Sequence, residues 1–337
     1  VIVEALSAVY GAAATWRRRW YAASPARSRH LQQPVISIGN LRVGGTGKTP
    51  TVMCLARLLL ERGERPAILS RGYARQRSSA GVTVVSDRTR ILADVAHAGD
   101  EPLLLARALP GVPVLVCADR YAAGQLAESQ LDATVHLLDD GFQHVRLARD
   151  IDLLLADEGD LDDRVLPAGR LREPLANASV AHALIVPGGS ADAAQRVASS
   201  LGLTDAFWTT RELGALRMLR ETDPVPARGD GLFAVAGIER PERFFDDLRA
   251  AGHRVLGTRV FRDHHLFTNA DLASTVAAAR AAGAVAVVTT EKDAVRLEPL
   301  TTPGLPLASV ALHTRIEPAE AFTTWLLARL AQARGAH

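Results

Sequence analysis

The run Gly44-Gly45-Thr46-Gly47-Lys48-Thr49-Pro50 follows the apolar segment Pro34–Ile38 almost directly, and that order constrains the fold more than anything else in the chain. An apolar strand, a glycine-rich turn and a Gly-Lys-Thr that opens a helix together form a phosphate cradle. Gly44, Gly45, Thr46 and Gly47 can turn backbone N–H groups inward onto phosphate oxygens, and the helix N-terminus adds its dipole. Lys48 then reaches the β- and γ-phosphates of a nucleotide, and Thr49 offers its hydroxyl to Mg2+. The full pattern asks for glycine five residues before Gly47, and Arg42 stands there. A glycine turn that only caps a helix is the alternative. The order of strand, loop and helix favours the cradle.

Strand and helix signals alternate beyond this point, which predicts an α/β fold: a P-loop NTPase domain with a parallel sheet flanked by helices. Strands are expected at 34–38, 66–69, 112–117, 133–138, 151–156 and 183–186, with helices over 49–62, 101–109 and 119–130. Residues 76–90 read as a loop or hairpin, and 157–180 as an irregular, substrate-facing excursion. Pro224–Asp230 looks like a linker. A second α/β series follows, with strands at 232–237, 254–261, 284–290 and 305–312 and helices at 241–251, 269–282 and 317–333. The expected domains are therefore 1–225 and a smaller C-terminal α/β domain over 226–337.

A chain with 48% hydrophobic and 23% charged residues is globular, and a formal net charge of +2 argues against a general nucleic-acid binder. Cys54 and Cys117 lie in apolar segments without metal-ligand spacing and read as buried thiols. No apolar run is long enough to span a bilayer. The N-terminus is nevertheless distinctive. Residues 1–16 are apolar and small, and Trp16, Arg17, Arg18, Arg19, Trp20 and Tyr21 follow. A secretory signal would put the charges first. This order suits a helix over about 1–21 lying on a membrane surface. An ordinary packed helix with its arginines in solvent is the alternative.

Asp139-Asp140 ends the apolar run Val135–Leu138, the arrangement in which a strand delivers a carboxylate to Mg2+ beside a phosphate loop. Asp100 and Glu101 open a helix after Gly99. Capping explains them as well as metal binding and proton abstraction do. Asp263-His264-His265 could tune or shuttle a proton, or make a structural hydrogen bond. Glu291-Lys292-Asp293 could equally be a salt-bridged turn. Arg71, Arg120, Arg170 and Arg172 recur near strand ends, where forked donors suit phosphate or sugar oxygens.

Several runs together resemble the tetraacyldisaccharide 4′-kinase family of lipid A biosynthesis. They are Gly39-Asn40-Leu41 with Val43–Pro50, Ser70-Arg71-Gly72-Tyr73, Gly99–Pro102, Asp119-Arg120 and Asp139-Asp140-Gly141-Phe142-Gln143-His144. Leu166–Gly169 with Leu171–Pro174, Ala236–Ile238, Pro241–Phe245, Asp263–His265 and Thr290–Val295 complete the set. The match spans about 35–298, in order, through both expected domains.

The resemblance implies an ATP- and Mg2+-dependent kinase that phosphorylates the 4′-hydroxyl of a lipid A disaccharide 1-phosphate at the cytoplasmic face of a bacterial inner membrane. No nucleic-acid partner is expected, and the chain is expected to be a monomer. The resemblance places Lys48 and Thr49 at the nucleotide, and makes Asp100 the base with His264 assisting from the other domain. Glu101, Asp139 and Asp140 then complete the metal site with Thr49. By their forked donors Arg71, Arg120 and Arg172 are the candidates to contact substrate. Nucleotide binding would bring the two domains together. Ala74 stands where the family pattern has glycine, and Arg170 where it has proline. A nucleotide-dependent switch ATPase is a rival, although Val43 occupies the position where such proteins often carry a second lysine. A soluble small-molecule kinase is another rival, but it would not need the apolar N-terminus.

Overall fold

In the computed structural model, which describes residues 2–72, 75, 81–300 and 304–336, the apolar runs pair mainly in parallel. Tyr73 and Ala74 lie outside the described residues. The chain forms two units, one made of Val1–Thr210 with Thr314–His337 and the other of Arg211–His313.

The first unit begins with α1 (Ile2–Ala22), β1 (Val35–Asn40), α2 (Lys48–Glu61), β2 (Pro66–Ser70), β3 (Thr83–Ser86), α3 (Val95–Ala98) and α4 (Asp100–Ala108). It continues with β4 (Val114–Val116), α5 (Arg120–Leu131), β5 (Val135–Asp139), β6 (Ile151–Leu155), α6 (Glu158–Leu161), β7 (Ala183–Pro187), α7 (Ala191–Leu201) and the start of β8 (Ala206–Met218). The strand order is β8-β7-β6-β1-β5-β2-β4-β3. All pairs between β8 and β4 are parallel, and β3 closes that edge antiparallel to β4. β1 lies between β5 and β6 and is buried at every residue, as a strand with neighbours on both sides and helices above and below must be. Its apolar character pins the phosphate loop at the carboxyl edge of the sheet, where open α/β folds take their ligands.

The second unit holds β9 (Gly231–Ala236), α8 (Pro241–Ala250), β10 (Arg254–Val260), α9 (Asn269–Ala281), β11 (Ala286–Thr290) and α10 (Glu291–Leu297), together with most of β12 (Leu307–Glu317). Its strands run β10-β9-β11-β12, all in parallel. Pro241 at the first position of α8 fixes φ where no N–H is needed. Phe244, Phe245 and Leu248 of α8 bury against Leu232, Ala234 and Val288.

The helix α11 (Ala319–Ala336) belongs to the first unit, and the division falls after Thr210 and after His313. This differs from the expected 1–225 and 226–337. Trp325 of α11 explains the difference, because its indole N–H donates to Asp205 at 2.9 Å and its ring lies against Phe207. Among the described residues, α3, α6, α7, β8 and α10 lie where no helix or strand was expected. Cys54 is half-buried rather than buried, whereas Cys117 is buried as expected.

α1 presents two unlike faces. Ser7, Gly11, Thr15 and Arg18 recur at helical spacing toward the protein. The Ser7 hydroxyl accepts from Ala168 N at 2.9 Å, and a Cβ on Gly11 would already lie 3.2 Å from Pro174. Ile2, Val3, Leu6, Val9, Tyr10, Trp16 and Trp20 are exposed on the rest of the surface, Val9 at 68% and Trp16 at 67%. Among the described residues no helix is long and apolar enough to cross a membrane.

Candidate active site

The carboxyl ends of β1, β2, β4 and β5 carry Lys48, Arg71, Arg120 and Asp139-Asp140, while Asp100 and Glu101 open α4 and Arg170 and Arg172 lie between α6 and β7. After β1 the chain does not close the glycine loop with a glycine at position 42. The Arg42 guanidinium is buried and pairs with Asp160 at 2.8 Å and Asp157 at 3.0 Å. Val43 N donates to Arg170 O at 2.8 Å, and Arg172 N donates to Leu41 O. The loop is therefore held from the side by 170–172, and its tip stays open. Gly44, Gly45 and Gly47 are exposed, and Gly47 adopts φ 83°, a left-handed conformation that favours glycine. Thr46 is buried, and its hydroxyl has no hydrogen-bond partner among the described residues.

Lys48 is the first residue of α2. Its ammonium donates to Asn40 Oδ1 at 3.1 Å and lies 3.7 Å from Asp140. Thr49 follows in the first turn, so the hydroxyl predicted for a metal sits at the helix N-terminus. The Asn40 side chain also accepts from Arg172. Arg172 in turn grips both oxygens of Asp140, at 2.9 and 2.8 Å. Asp140 has φ 56°, which aspartate tolerates better than most residues, and this turns its carboxylate away from the strand.

Asp139 is the last residue of β5 and is buried. Burial, reinforced by the nearby Glu101 and Asp140 carboxylates, pushes its pKa up to about 7, against the pull of Lys48 and Arg120. Burial would raise Asp140 as well. The Arg172 hydrogen bonds and the Lys48 charge outweigh that and hold it below the usual carboxylate range. Two adjacent acids thus differ in protonation at neutral pH. Burial, with Arg120 as the next contributor, pushes His144 down to about 4, so this imidazole is neutral there.

Asp100 opens α4 after Gly99, whose φ is 86°, and is buried with its carboxylate accepting from Glu101 N at 3.0 Å. It therefore satisfies one free N–H from the first helical position, while the N-cap itself is Gly99 and carries no side-chain cap. Glu101 lies near enough to Asp139 to raise it. Arg120 opens α5 and is buried. Its Nη1 donates to Ala118 O at 3.2 Å, and Arg71 is near enough to lower it further than burial alone does. Arg71 itself is exposed. Arg170, where the family pattern has proline, pairs with Asp163 at 2.8 Å.

In the second unit the Asp-His-His run separates by role. His265 stacks on Phe261 and bonds Asp271 at 3.1 Å, which is structural. His264 has φ 57° and is half-buried, with Nε2 3.3 Å from the Lys292 ammonium. Lys292 also donates to Asp263 at 3.3 Å. Asp293 is fully buried and accepts from Gly237 N at 2.8 Å and from Thr290 Oγ1 at 2.9 Å. The Glu-Lys-Asp run is therefore half scaffold, through Asp293, and half contact to His264, through Lys292.

Residue-type reasoning missed two sets of side chains. Arg42 with Asp157 and Asp160 is one. Arg18, Gln143 and Glu173 form the other: Arg18 pairs with both Glu173 oxygens, and Gln143 donates to Glu173 and to Asn40 O. Gln143 and Glu173 lie inside the motif runs, which was the available signal.

A nucleotide with Mg2+ fits this arrangement. The exposed glycine loop, the unpartnered Thr46 hydroxyl and a cation at the helix start suit phosphate, and closely set carboxylates of which one retains a proton suit a divalent cation. No cluster of three or more potential metal ligands assembles among the described residues. Mg2+ is commonly held by one or two carboxylates together with phosphate and water, so a full protein cage is not needed.

Comparison with known proteins agrees with these motifs. The family model for LpxK, tetraacyldisaccharide-1-P 4′-kinase, matches residues 1–331. The tetraacyldisaccharide 4′-kinase of Geobacter metallireducens is 41% identical over 327 residues, covering 94% of this chain and 94% of that protein. The one from Syntrophus aciditrophicus is 38% identical over 344 residues, covering 96% and 91%. A crystal structure of the "apo" form of LpxK from Aquifex aeolicus in complex with ATP is 33% identical and covers 97% of this chain and 98% of that one, with a TM-score of 0.78.

Proposed function

The chain belongs to the tetraacyldisaccharide-1-P 4′-kinase family and has that activity in lipid A biosynthesis, and from this premise we propose how its residues divide the work. The observation that carries the assignment is the convergence of Lys48, Asp140, Asn40 and Arg172 at the carboxyl edge of β1 and β5. Phosphoryl transfer needs positioning and charge stabilisation more than covalent chemistry. The loop N–H groups and Lys48 hold the ATP phosphates. Thr49 with one or two of the carboxylates Asp139, Asp140 and Glu101 would hold Mg2+, which would neutralise charge on the transferred group. Asp100 takes the proton of the 4′-hydroxyl. Arg71, Arg120 and Arg172 hold phosphate or sugar oxygens. The assay is transfer of labelled γ-phosphate from ATP to tetraacyldisaccharide 1-phosphate in detergent. Label at the 4′ position supports the reading; ATP hydrolysis without lipid product would favour a switch ATPase.

The Asp139 proton makes a pH prediction. Below about pH 7 the empty site retains it, and a cation must displace it. The apparent affinity for Mg-nucleotide should therefore rise by up to about tenfold per pH unit until about pH 7 and then level off. Calorimetry near pH 6.5 in buffers of different ionisation enthalpy should show proton release. A flat profile would remove Asp139 from the metal site. The sign for stability is opposite. The folded protein binds this proton more tightly than the unfolded chain does, so Asp139 lowers stability as pH rises from about 4 to about 7.

The exposed apolar face of α1, flanked by Arg17 and Arg19, suits a peripheral seat on the cytoplasmic surface of the inner membrane, where the acylated substrate lies. Leu6→Asp with Val9→Asp removes two buried side chains from such a seat, at roughly 1.5–3 kcal/mol each. Co-sedimentation with phosphatidylglycerol-containing vesicles should fall by at least about tenfold. Unchanged sedimentation would assign that face to something other than lipid.

A further inference from the structure

We propose that Arg18 of α1 is a positioning residue for the phosphate site, so that this helix is part of the kinase machinery and not an anchor alone. The inference rests on the reading of Lys48, Asp140 and Arg172 as that site.

Arg18 is 8% exposed although it stands in a run of three arginines, and its partner Glu173 is 4% exposed. The pairing is forked: Arg18 Nε donates to one Glu173 oxygen at 2.8 Å and Nη2 to the other at 2.7 Å. The same Nη2 donates to Phe142 O at 3.0 Å, and the guanidinium lies 4.3 Å from the Phe142 ring centre. Glu173 also accepts from Gln143 at 2.9 Å and from Asn177 at 3.0 Å.

Each of these partners adjoins the site. Phe142 and Gln143 belong to the turn that begins with Asp139 and Asp140. Gln143 Nε2 reaches across to Asn40 O at 2.9 Å, and the Asn40 side chain accepts from both Lys48 and Arg172. Glu173 directly follows Arg172, the residue that clamps Asp140. The turn also packs too closely on β1 for slack, since a Cβ on Gly39 would lie 2.5 Å from Phe142 Cβ. One side chain of α1 therefore fixes both the turn that carries the acids and the backbone that carries their arginine clamp.

A structural ion pair alone would not need this placement. Removing one partner leaves a buried uncompensated charge, and its relaxation reaches Arg172, the covalent neighbour of Glu173, and through Arg172 the Asp140 carboxylate. The loss should therefore fall on turnover.

The test uses the full chain with Mg-ATP and detergent-dispersed tetraacyldisaccharide 1-phosphate, so that membrane attachment is not limiting. Turnover is expressed per nucleotide-binding site, which corrects for misfolded protein. Arg18→Met should lose at least about tenfold in kcat with less than about threefold change in ATP affinity, and Arg18→Lys should recover part of it. Vesicle sedimentation should stay at the wild-type level, because Arg18 faces inward. Glu173→Gln, closer in shape, should lose kcat as well, and the double variant Arg18→Met/Glu173→Gln should be no worse than Arg18→Met alone.

Wild-type kcat in Arg18→Met, or losses that add in the double variant, would overturn the proposal. A fall in vesicle binding with kcat intact would make Arg18 part of the anchor. Failure of the wild-type protein to transfer phosphate would instead strike the underlying functional reading.

Discussion

Asp100→Asn is expected to lower kcat by ~10²–10⁴-fold, the usual size of a general-base contribution, with little change in ATP affinity. The substitution keeps the shape of the side chain and an oxygen for the Glu101 N–H, now bonded at 3.0 Å, so the start of α4 survives. What it removes is a carboxylate that can accept a proton. Asp100 is buried at the start of α4, so bulk water is largely excluded from its carboxylate. Single-turnover kinetics on tetraacyldisaccharide 1-phosphate would separate the chemical step from product release. Turnover within about threefold of wild type would leave Asp100 with a structural role at the start of α4 only.

The elements that position this site are written in contiguous stretches of chain. Pro34 to Pro50 specifies strand, loop and helix through local rules: an apolar run for a doubly flanked strand, glycines for the turn, and a lysine at the helix start. The acid pair at the end of β5 is legible for the same reason. What was not legible depends on residues far apart in the chain. Arg42 reads as a flaw in the glycine pattern until Asp157 and Asp160, more than a hundred residues on, are seen to neutralise it. Arg18 reads as one of three solvent arginines, because nothing nearby in sequence announces Glu173.

β8 escaped notice because its outer half alternates weakly and is largely exposed, leaving no apolar run to count. The domain division moved for a related reason. A helix of α11's composition fits either unit, and only the pairing of Trp325 with Asp205 and Phe207 assigns it. At the helix start of α4, sequence left capping and catalysis open for Asp100. The structure makes Gly99 the N-cap and puts Asp100 inside the helix with a bond to Glu101 N, and the substitution above tests its catalytic role.

Lys48→Met should lower kcat by ~10²–10³-fold, the range for losing one preorganised charge-stabilising donor. It should also change how nucleotide binding depends on pH, which a merely structural lysine would not do. Lys48, with Arg120, holds the Asp139 pKa down against burial and the Glu101 and Asp140 carboxylates. Without its ammonium the Asp139 proton is held more tightly. The pH at which Mg-nucleotide affinity levels off should then move upward, while the wild-type protein levels off near pH 7. Methionine keeps most of the stem's packing at the start of α2, so the shift would report charge and not a cavity. Measuring the dissociation constant of a non-hydrolysable Mg-nucleotide across that pH range would show both effects in one variant. A loss of turnover with an unmoved profile would place Lys48 on the phosphates but electrically apart from Asp139. An unmoved profile together with wild-type turnover would remove Lys48 from the site.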